Sequence, residues 1–287
     1  MEADRHAPGI LAGSTWLGMA DYEHSTYGER IAAVYDQFAH SPATRFTDAT
    51  VEFLASIAGK RRVLELGIGT GRIAVPLAAK GLKVFGIDAS GKMVEKMREK
   101  PGGDAIPVVF GNFADVKIGG QFSLIYVVFN TFFALLTQEE QVRCLQRVAR
   151  HLTADGAFVM EAFVPDPSRF DRGQRVGALE VDTDRVRLEV TQHDPSTQSI
   201  RSAHVEVTES GSILLYPVRL RYAGPGELDL MARLAGMRLR ARYGGWNREP
   251  FSAASQFHVS LYELIAAKPM PAPKSPPRKS ISRGRRK

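Results

Sequence analysis

One cysteine, Cys144, stands among 287 residues. A lone thiol excludes an internal disulfide framework and any cysteine-rich zinc module. Lysine is absent between Lys117 and Lys268, while thirteen arginines fill the span from Arg169 to Arg248. Such a bias suits phosphate recognition; a codon preference for arginine accounts for it equally well. Long apolar runs are missing too. The longest, Phe122 to Leu136, is broken by Ser123, Asn130 and Thr131, and is too short and polar to cross a membrane. The stretch from Met1 to Ala12 mixes acids with bases and has no apolar core, so no signal peptide is read there. The cytoplasm is the expected compartment. No serine has the flanking glycines of a hydrolase elbow. The seven histidines are scattered without metal-ligand spacing, so no metal is expected. His258, on a predicted strand, reads better as a satisfied structural histidine than as a base facing a cleft.

Acids are absent from Lys268 to Lys287, which holds eight Lys or Arg and five prolines. Without that tail the chain has 30 basic and 31 acidic residues, a net charge of −1. The formal +7 therefore belongs to the tail and not to the body. The tail has almost no large apolar side chain to offset its ordering entropy, so it is expected to be disordered. A basic tail can attract nucleic acid or anionic lipid, or simply solubilise the chain.

What is present is alternation. Residues 1–26 carry little periodicity and are read as a flexible N-terminus. Helical spacing predicts a helix from Tyr27 to Phe46 and a second from Thr47 to Ile57. From Val63 onward strands and helices alternate: strand 63–66, helix 72–80, strand 83–87, helix 90–100, strand 107–110. The continuous apolar run 122–129 reads as a strand buried on both faces. Thr137-Gln138-Glu139-Glu140 has the spacing of a capping box and opens a helix to about His151. A fifth strand follows at 156–163. This pattern predicts a doubly wound, Rossmann-like, mostly parallel α/β sheet with right-handed crossovers, ligands binding at the carboxyl ends of its strands. Residues 176–222 break the pattern. Segments 184–191, 200–208 and 213–222 alternate apolar with polar residues between turn signals, which predicts an inserted antiparallel β meander. A helix at 227–234 and two strands, 237–243 and 256–265, close the domain with an antiparallel edge. One domain, 27–267, is thus expected, followed by the tail 268–287.

The chemistry concentrates in Glu65-Leu66-Gly67-Ile68-Gly69-Thr70-Gly71. A glycine-rich turn between strand and helix lets a ligand approach the backbone closely. Asp88 stands 21 residues beyond Gly67, at the end of the next strand, where a carboxylate can accept from both ribose hydroxyls. Together these indicate an adenosine-containing cofactor. Gly69-x-Gly71-x-x-Ala74 fits the dinucleotide pattern. However, the carboxylate of Glu65 suits a cationic ligand and repels a pyrophosphate. None of the eight tyrosines has a lysine four residues on, so the usual proton-transfer pair of nicotinamide enzymes is missing. Gly86 to Lys92 mimics a phosphate-binding loop, but Met93 replaces its magnesium-binding hydroxyl.

The segment Glu65 to Gly71 resembles the first motif of the class I S-adenosylmethionine-dependent methyltransferases. Gly86-Ile87-Asp88-Ala89-Ser90 with Met93 is similar to their second. The resemblance spans roughly residues 27–265, and the layout with an inserted meander is most similar to the small-molecule branch that includes the dTDP-amino-sugar N-methyltransferases. It implies S-adenosyl-L-methionine as cofactor. Glu65 and the Gly67–Gly71 backbone would hold its methionine part, Asp88 its ribose, and Met93 its adenine, with Ala89, Phe113 and Phe129 on the same side. Asn112 occupies the place where many members have an acid contacting the adenine amino group. The acceptor pocket is expected among Tyr27, Tyr35, Asn130, Phe133, Phe163, Arg219, Arg221 and Tyr222, with a small molecule as methyl acceptor. No general base can be assigned. Two alternatives remain: a nucleic-acid methyltransferase recruited by the basic tail, and a non-catalytic cofactor-binding protein. The near-neutral body lacks the basic face of the first, and an Asn-Pro-Pro-Tyr type motif is absent after the fourth strand.

Overall fold

The structure is a computed structural model and describes residues 21–37, 46–59, 61–115 and 117–265. Residues 1–20 and the basic tail lie outside the described residues. The described chain opens with α1 (Thr26–Ile31) and α2 (Thr47–Ala58). The alternating part follows as β1 (Arg62–Leu66), α3 (Ala74–Ala79), β2 (Lys83–Asp88), α4 (Gly91–Arg98), β3 (Val108–Phe110), β4 (Phe122–Val127), α5 (Gln138–His151) and β5 (Leu152–Phe163). Then come β6 (Gln174–Val181), β7 (Arg185–Asp194), β8 (Ser199–Thr208) and β9 (Ile213–Arg221). The described chain closes with α6 (Pro225–Leu234), β10 (Met237–Tyr243) and β11 (Phe257–Leu264).

Seven strands form one sheet in the order β3-β2-β1-β4-β5-β11-β10. All are parallel from β3 to β5. Only β11 runs against its neighbours, wedged between β5 and β10. The strand order reverses at β1, which pairs with both β2 and β4, and that reversal opens the ligand crevice at the carboxyl ends. Alternation along the strands divides the core. Leu64, Leu66, Ile125, Val127, Phe158 and Met160 pack with α5 and α6. Val63, Leu124, Tyr126 and Val159 pack with α2, α3 and α4. Strands buried on both faces must read as continuous apolar runs. The capping box forms as its spacing predicts: Glu140 N–H donates to Thr137 Oγ1 at 3.1 Å, and the Glu140 carboxylate accepts from Thr137 N–H.

The meander is a separate four-stranded antiparallel sheet, β6-β7-β8-β9. Its first strand escapes the sequence pattern, because Gly177 and a bulge between Ala178 and Glu180 blur the alternation of an edge strand. The helix expected at 27–46 is also shorter. It stops at Ile31 and is followed by a 3-10 turn, Tyr35–Gln37. Here tertiary contacts outweigh propensity: Ser90 Oγ donates to Glu29 at 2.8 Å and Lys92 N–H donates to the same oxygen at 3.2 Å, tying α1 to the start of α4. Ile31, Ala32 and Met93 are buried together with Tyr216 of β9, so this corner also carries the second sheet.

Candidate functional site

The turn after β1 carries positive φ at Gly67 (71°), Gly69 (55°) and Gly71 (71°). Side chains rarely tolerate that region. A Cβ on Gly67 would strike Thr131 Cγ2, whereas a Cβ on Gly69 would meet nothing within 4 Å. Gly69 therefore leaves open the space that a bound group would fill. Gly71 does not line this space; its missing side chain makes room for Met97 of α4. Gly69 N–H donates to Asp88 Oδ2 at 2.7 Å, and Ser90 N–H donates to Oδ1 at 2.8 Å. The glycine turn and the end of β2 thus aim one carboxylate. Burial pushes the Asp88 carboxyl above its ordinary value, against the pull of those N–H groups.

Glu65 lies beneath the turn, 2% exposed, and does not reach the cavity wall. Tyr126 is its cross-strand neighbour in the β1–β4 ladder, and the Tyr126 hydroxyl donates to Glu65 Oε2 at 2.8 Å. Burial pushes the Glu65 carboxyl up to about 8, with that hydrogen bond and the nearby Arg72 pulling the other way. Sequence reasoning missed Tyr126, which only the β1–β4 pairing brings to Glu65, and Arg72, which the glycine turn folds back toward it.

The turn and Asp88 open on a cavity of about 460 Å³. Its wall on the side of the glycine turn includes Gly67, Gly69, Asp88, Ala89, Met93, Asn112, Phe113 and Phe129. Asn112 Oδ1 already accepts from Ala114 N–H at 2.9 Å, and its amide nitrogen lies 2.9 Å from His24 Nε2. The strand expected to run to residue 129 ends at Val127, because Phe129 (φ 57°) and Asn130 (φ 62°) turn left-handed. Both are pinned to β5: Phe129 N–H donates to Glu161 at 2.7 Å, and Asn130 Oδ1 accepts from Phe163 N–H at 2.7 Å. Strain of this kind persists only where surroundings enforce it.

The second sheet lies over the other side of the cavity. Tyr27, Tyr35, Asn130, Phe163, Arg219 and Tyr222 lie on the cavity wall. Burial raises the phenols of Tyr27, Tyr35 and Tyr222, which keeps them protonated donors. Two expected contacts fall elsewhere. Phe133 is fully buried in the core, its ring edge-on to Phe163 at 4.9 Å, because the 3-10 turn Thr131–Ala134 points it inward. Arg221 is also off the wall. Adjacent residues at a strand end face opposite sides, so Tyr222 takes the cavity side and Arg221 the other. There Arg221 donates to Glu227 at 2.6 Å, Gln198 at 2.7 Å and Gln141 at 2.7 Å. His258 is fully buried, 2.9 Å from Ser260 Oγ, and burial lowers it to about 4; it does not line the cavity. Sequence reasoning missed Tyr22, which precedes α1, and Glu189, Thr191, His193 and Ser202 on the wall; only the shared parity of these last four on neighbouring strands could have suggested them. Among the described residues no group of three His, Cys, Asp or Glu side chains is placed to hold a metal ion.

Residues 63–156 match the methyltransferase-domain family. The cypemycin N-terminal methyltransferase of Streptomyces sp. is 30% identical over 206 residues, 71% of this chain and 83% of that protein. The CcbJ methyltransferase of Streptomyces caelestis superposes with a TM-score of 0.81 at 40% identity, covering 85% of this chain and all of the other. CalS10, an amino pentose methyltransferase of Micromonospora echinaspora solved with S-adenosylmethionine bound, shares the fold at 20% identity and a TM-score of 0.62, over 81% of this chain and 95% of its own. The open space at Gly69 and the aimed Asp88 carboxylate fit S-adenosylmethionine, the cofactor of this family. The chain belongs to the class I S-adenosylmethionine-dependent methyltransferases.

Proposed function

We propose that this methyltransferase acts on an amine nitrogen of a small molecule. The observation that carries the reading is the architecture of the cavity. The β6–β9 sheet lies over the carboxyl ends of the parallel strands, and the cavity volume of about 460 Å³ is within the range of small-molecule sites. The wall is mixed in charge, with Arg169, Arg175 and Arg219 set against Asp166 and Glu189, unlike the uniformly basic face that a nucleic acid requires. The similarity to an N-terminal methyltransferase supports nitrogen as the acceptor atom. A cytoplasmic setting belongs to the same proposal.

When bound, S-adenosylmethionine supplies a methyl carbon that is already electrophilic. The protein has to hold the acceptor in line and exclude water. In this proposal Asp88 fixes the ribose, the Gly67–Gly69 backbone the methionine part, and Met93 and Phe113 flank the adenine. The pinned Phe129–Asn130 turn separates the two halves.

The test is a transfer assay with deuterium-labelled methyl donor and purified full-length chain. The panel holds glucosamine, a tripeptide with a free N-terminus, its N-acetylated counterpart, catechol and a short RNA. Label on an amine nitrogen, located by fragmentation, supports the reading. Label on oxygen, carbon or RNA overturns it.

A further inference from the structure

We propose that His193 is the base that takes the proton from the acceptor's ammonium group, with Tyr222 holding its ring in place; this rests on the amine reading above. An amine in neutral water carries a proton, and its lone pair is unavailable until that proton leaves. His193 lies on β7, half-buried, on the cavity wall. Its Nε2 is 2.9 Å from the Tyr222 hydroxyl, and Phe170 stacks on its ring with centroids 4.4 Å apart. Its backbone N–H is held by the carbonyl of Gly173 at 2.8 Å. The ring is therefore held by Tyr222 and Phe170, and its backbone by Gly173. Tyr222 packs on Phe163 at 6.4 Å, and Phe163 is hydrogen-bonded through its backbone to Asn130. That chain of contacts links His193 to the turn after β4, where cofactor and acceptor halves meet.

The other nitrogen, Nδ1, makes no hydrogen bond among the described residues. With Nε2–H donating to the Tyr222 oxygen, Nδ1 carries the free lone pair. One N–H bond of the ammonium breaks and its electron pair stays on the acceptor nitrogen. The proton bonds to Nδ1, and neutral imidazole becomes imidazolium. Of the other bases on the wall, His204 lies 3.8 Å from Glu189 and His24 lies 3.3 Å from Glu140, so each already faces a carboxylate. Glu189 is held below its ordinary value by His204 and lies 3.7 Å from Arg175. Asp166 accepts from both the N–H and the hydroxyl of Ser168. The charged and titratable groups around His193 are Tyr222, Arg169, Arg175, Glu189, His204, and on its outer side Asp194 and Arg201.

The experiment compares wild type with His193→Gln and Tyr222→Phe on the free-amine tripeptide, from pH 6.5 to 10. His193→Gln should lose about 100-fold in kcat at pH 7. The gap should close toward pH 10, where the amine arrives unprotonated. Tyr222→Phe should lose less and shift the same profile. Cofactor affinity by calorimetry should stay within about threefold, roughly 0.6 kcal/mol. An undiminished rate, or a loss equal at every pH, overturns the assignment. If wild type methylates nitrogen while His193→Gln is unaffected, this inference falls and the amine reading stands. Label on oxygen or carbon defeats both.

Discussion

Asp88 holds two backbone N–H groups before any ligand arrives, and in the proposed site it accepts from the ribose. Replacing it with alanine removes hydrogen bonds to a charged group, each contributing about 1.5–3 kcal/mol. Affinity for S-adenosylhomocysteine should drop at least about tenfold by calorimetry; unchanged affinity would place the ribose elsewhere. Asp88→Asn, which keeps one acceptor oxygen, should fall in between. Glu65 makes a different prediction, one about pH. Its folded value, about 8, lies above its ordinary one of 4.5. The folded state therefore binds the proton more tightly than the unfolded chain. That stabilisation is complete below about pH 4.5, declines as pH rises, and is gone above about pH 8. Glu65→Gln keeps the bond to Tyr126 without a titrating proton. The melting temperature of the variant minus that of wild type should rise between pH 5 and 8 and level off beyond. A flat difference would mean that Glu65 stays ionised in the fold.

Among the elements, those whose signals are local were legible: the alternation of β1 to β5, the capping box of α5, the glycine turn with Asp88, and the antiparallel edge. What depends on pairing was not. Tyr126 meets Glu65 only because β4 lies beside β1. His193 and Tyr222 are 29 residues apart and meet through β8 between their strands. β6 was hidden by Gly177 and a bulge. Arg221 was misplaced because its partners, Gln141, Gln198 and Glu227, come from other parts of the chain. Its actual role is to rivet the second sheet to α5 and α6, since Gln141 and Glu227 lie on those helices. Arg221 is nearly buried, with its side chain 9% exposed, and Glu227 is 22% exposed. Breaking a buried pair costs about 3–5 kcal/mol. With Glu227 partly hydrated, Arg221→Met should cost about 2 kcal/mol. That corresponds to roughly 4–8 °C in melting temperature for a domain of this size. Cofactor affinity should be unchanged. A variant that melts like wild type but loses acceptor turnover would return Arg221 to the pocket.

At the scale of the whole molecule, the proposed function gives the cofactor to one sheet and the acceptor to the second, so the two binding steps should be separable by mutation. Thr191 and Ser202 offer the cleanest cut. They are buried on the cavity-facing side of β7 and β8, directly opposite each other, with hydroxyls 3.0 Å apart. Neither touches the glycine turn or Asp88. Removing one hydroxyl alone would leave its partner poorly satisfied; removing both together with groups of similar shape is close to neutral for stability. The double variant Thr191→Val with Ser202→Ala should therefore melt within a few degrees of wild type. Its affinity for S-adenosylhomocysteine should stay within about threefold, because the β1–β2 turn is untouched. The acceptor step should change, since the wall has lost two hydroxyls beside Glu189 and His204: KM for the amine substrate should rise about fivefold or more while kcat moves less, the pattern of lost uniform binding. If the double variant loses cofactor affinity instead and keeps its acceptor KM, the second sheet contributes to the cofactor half, and the division of labour between the two sheets is wrong.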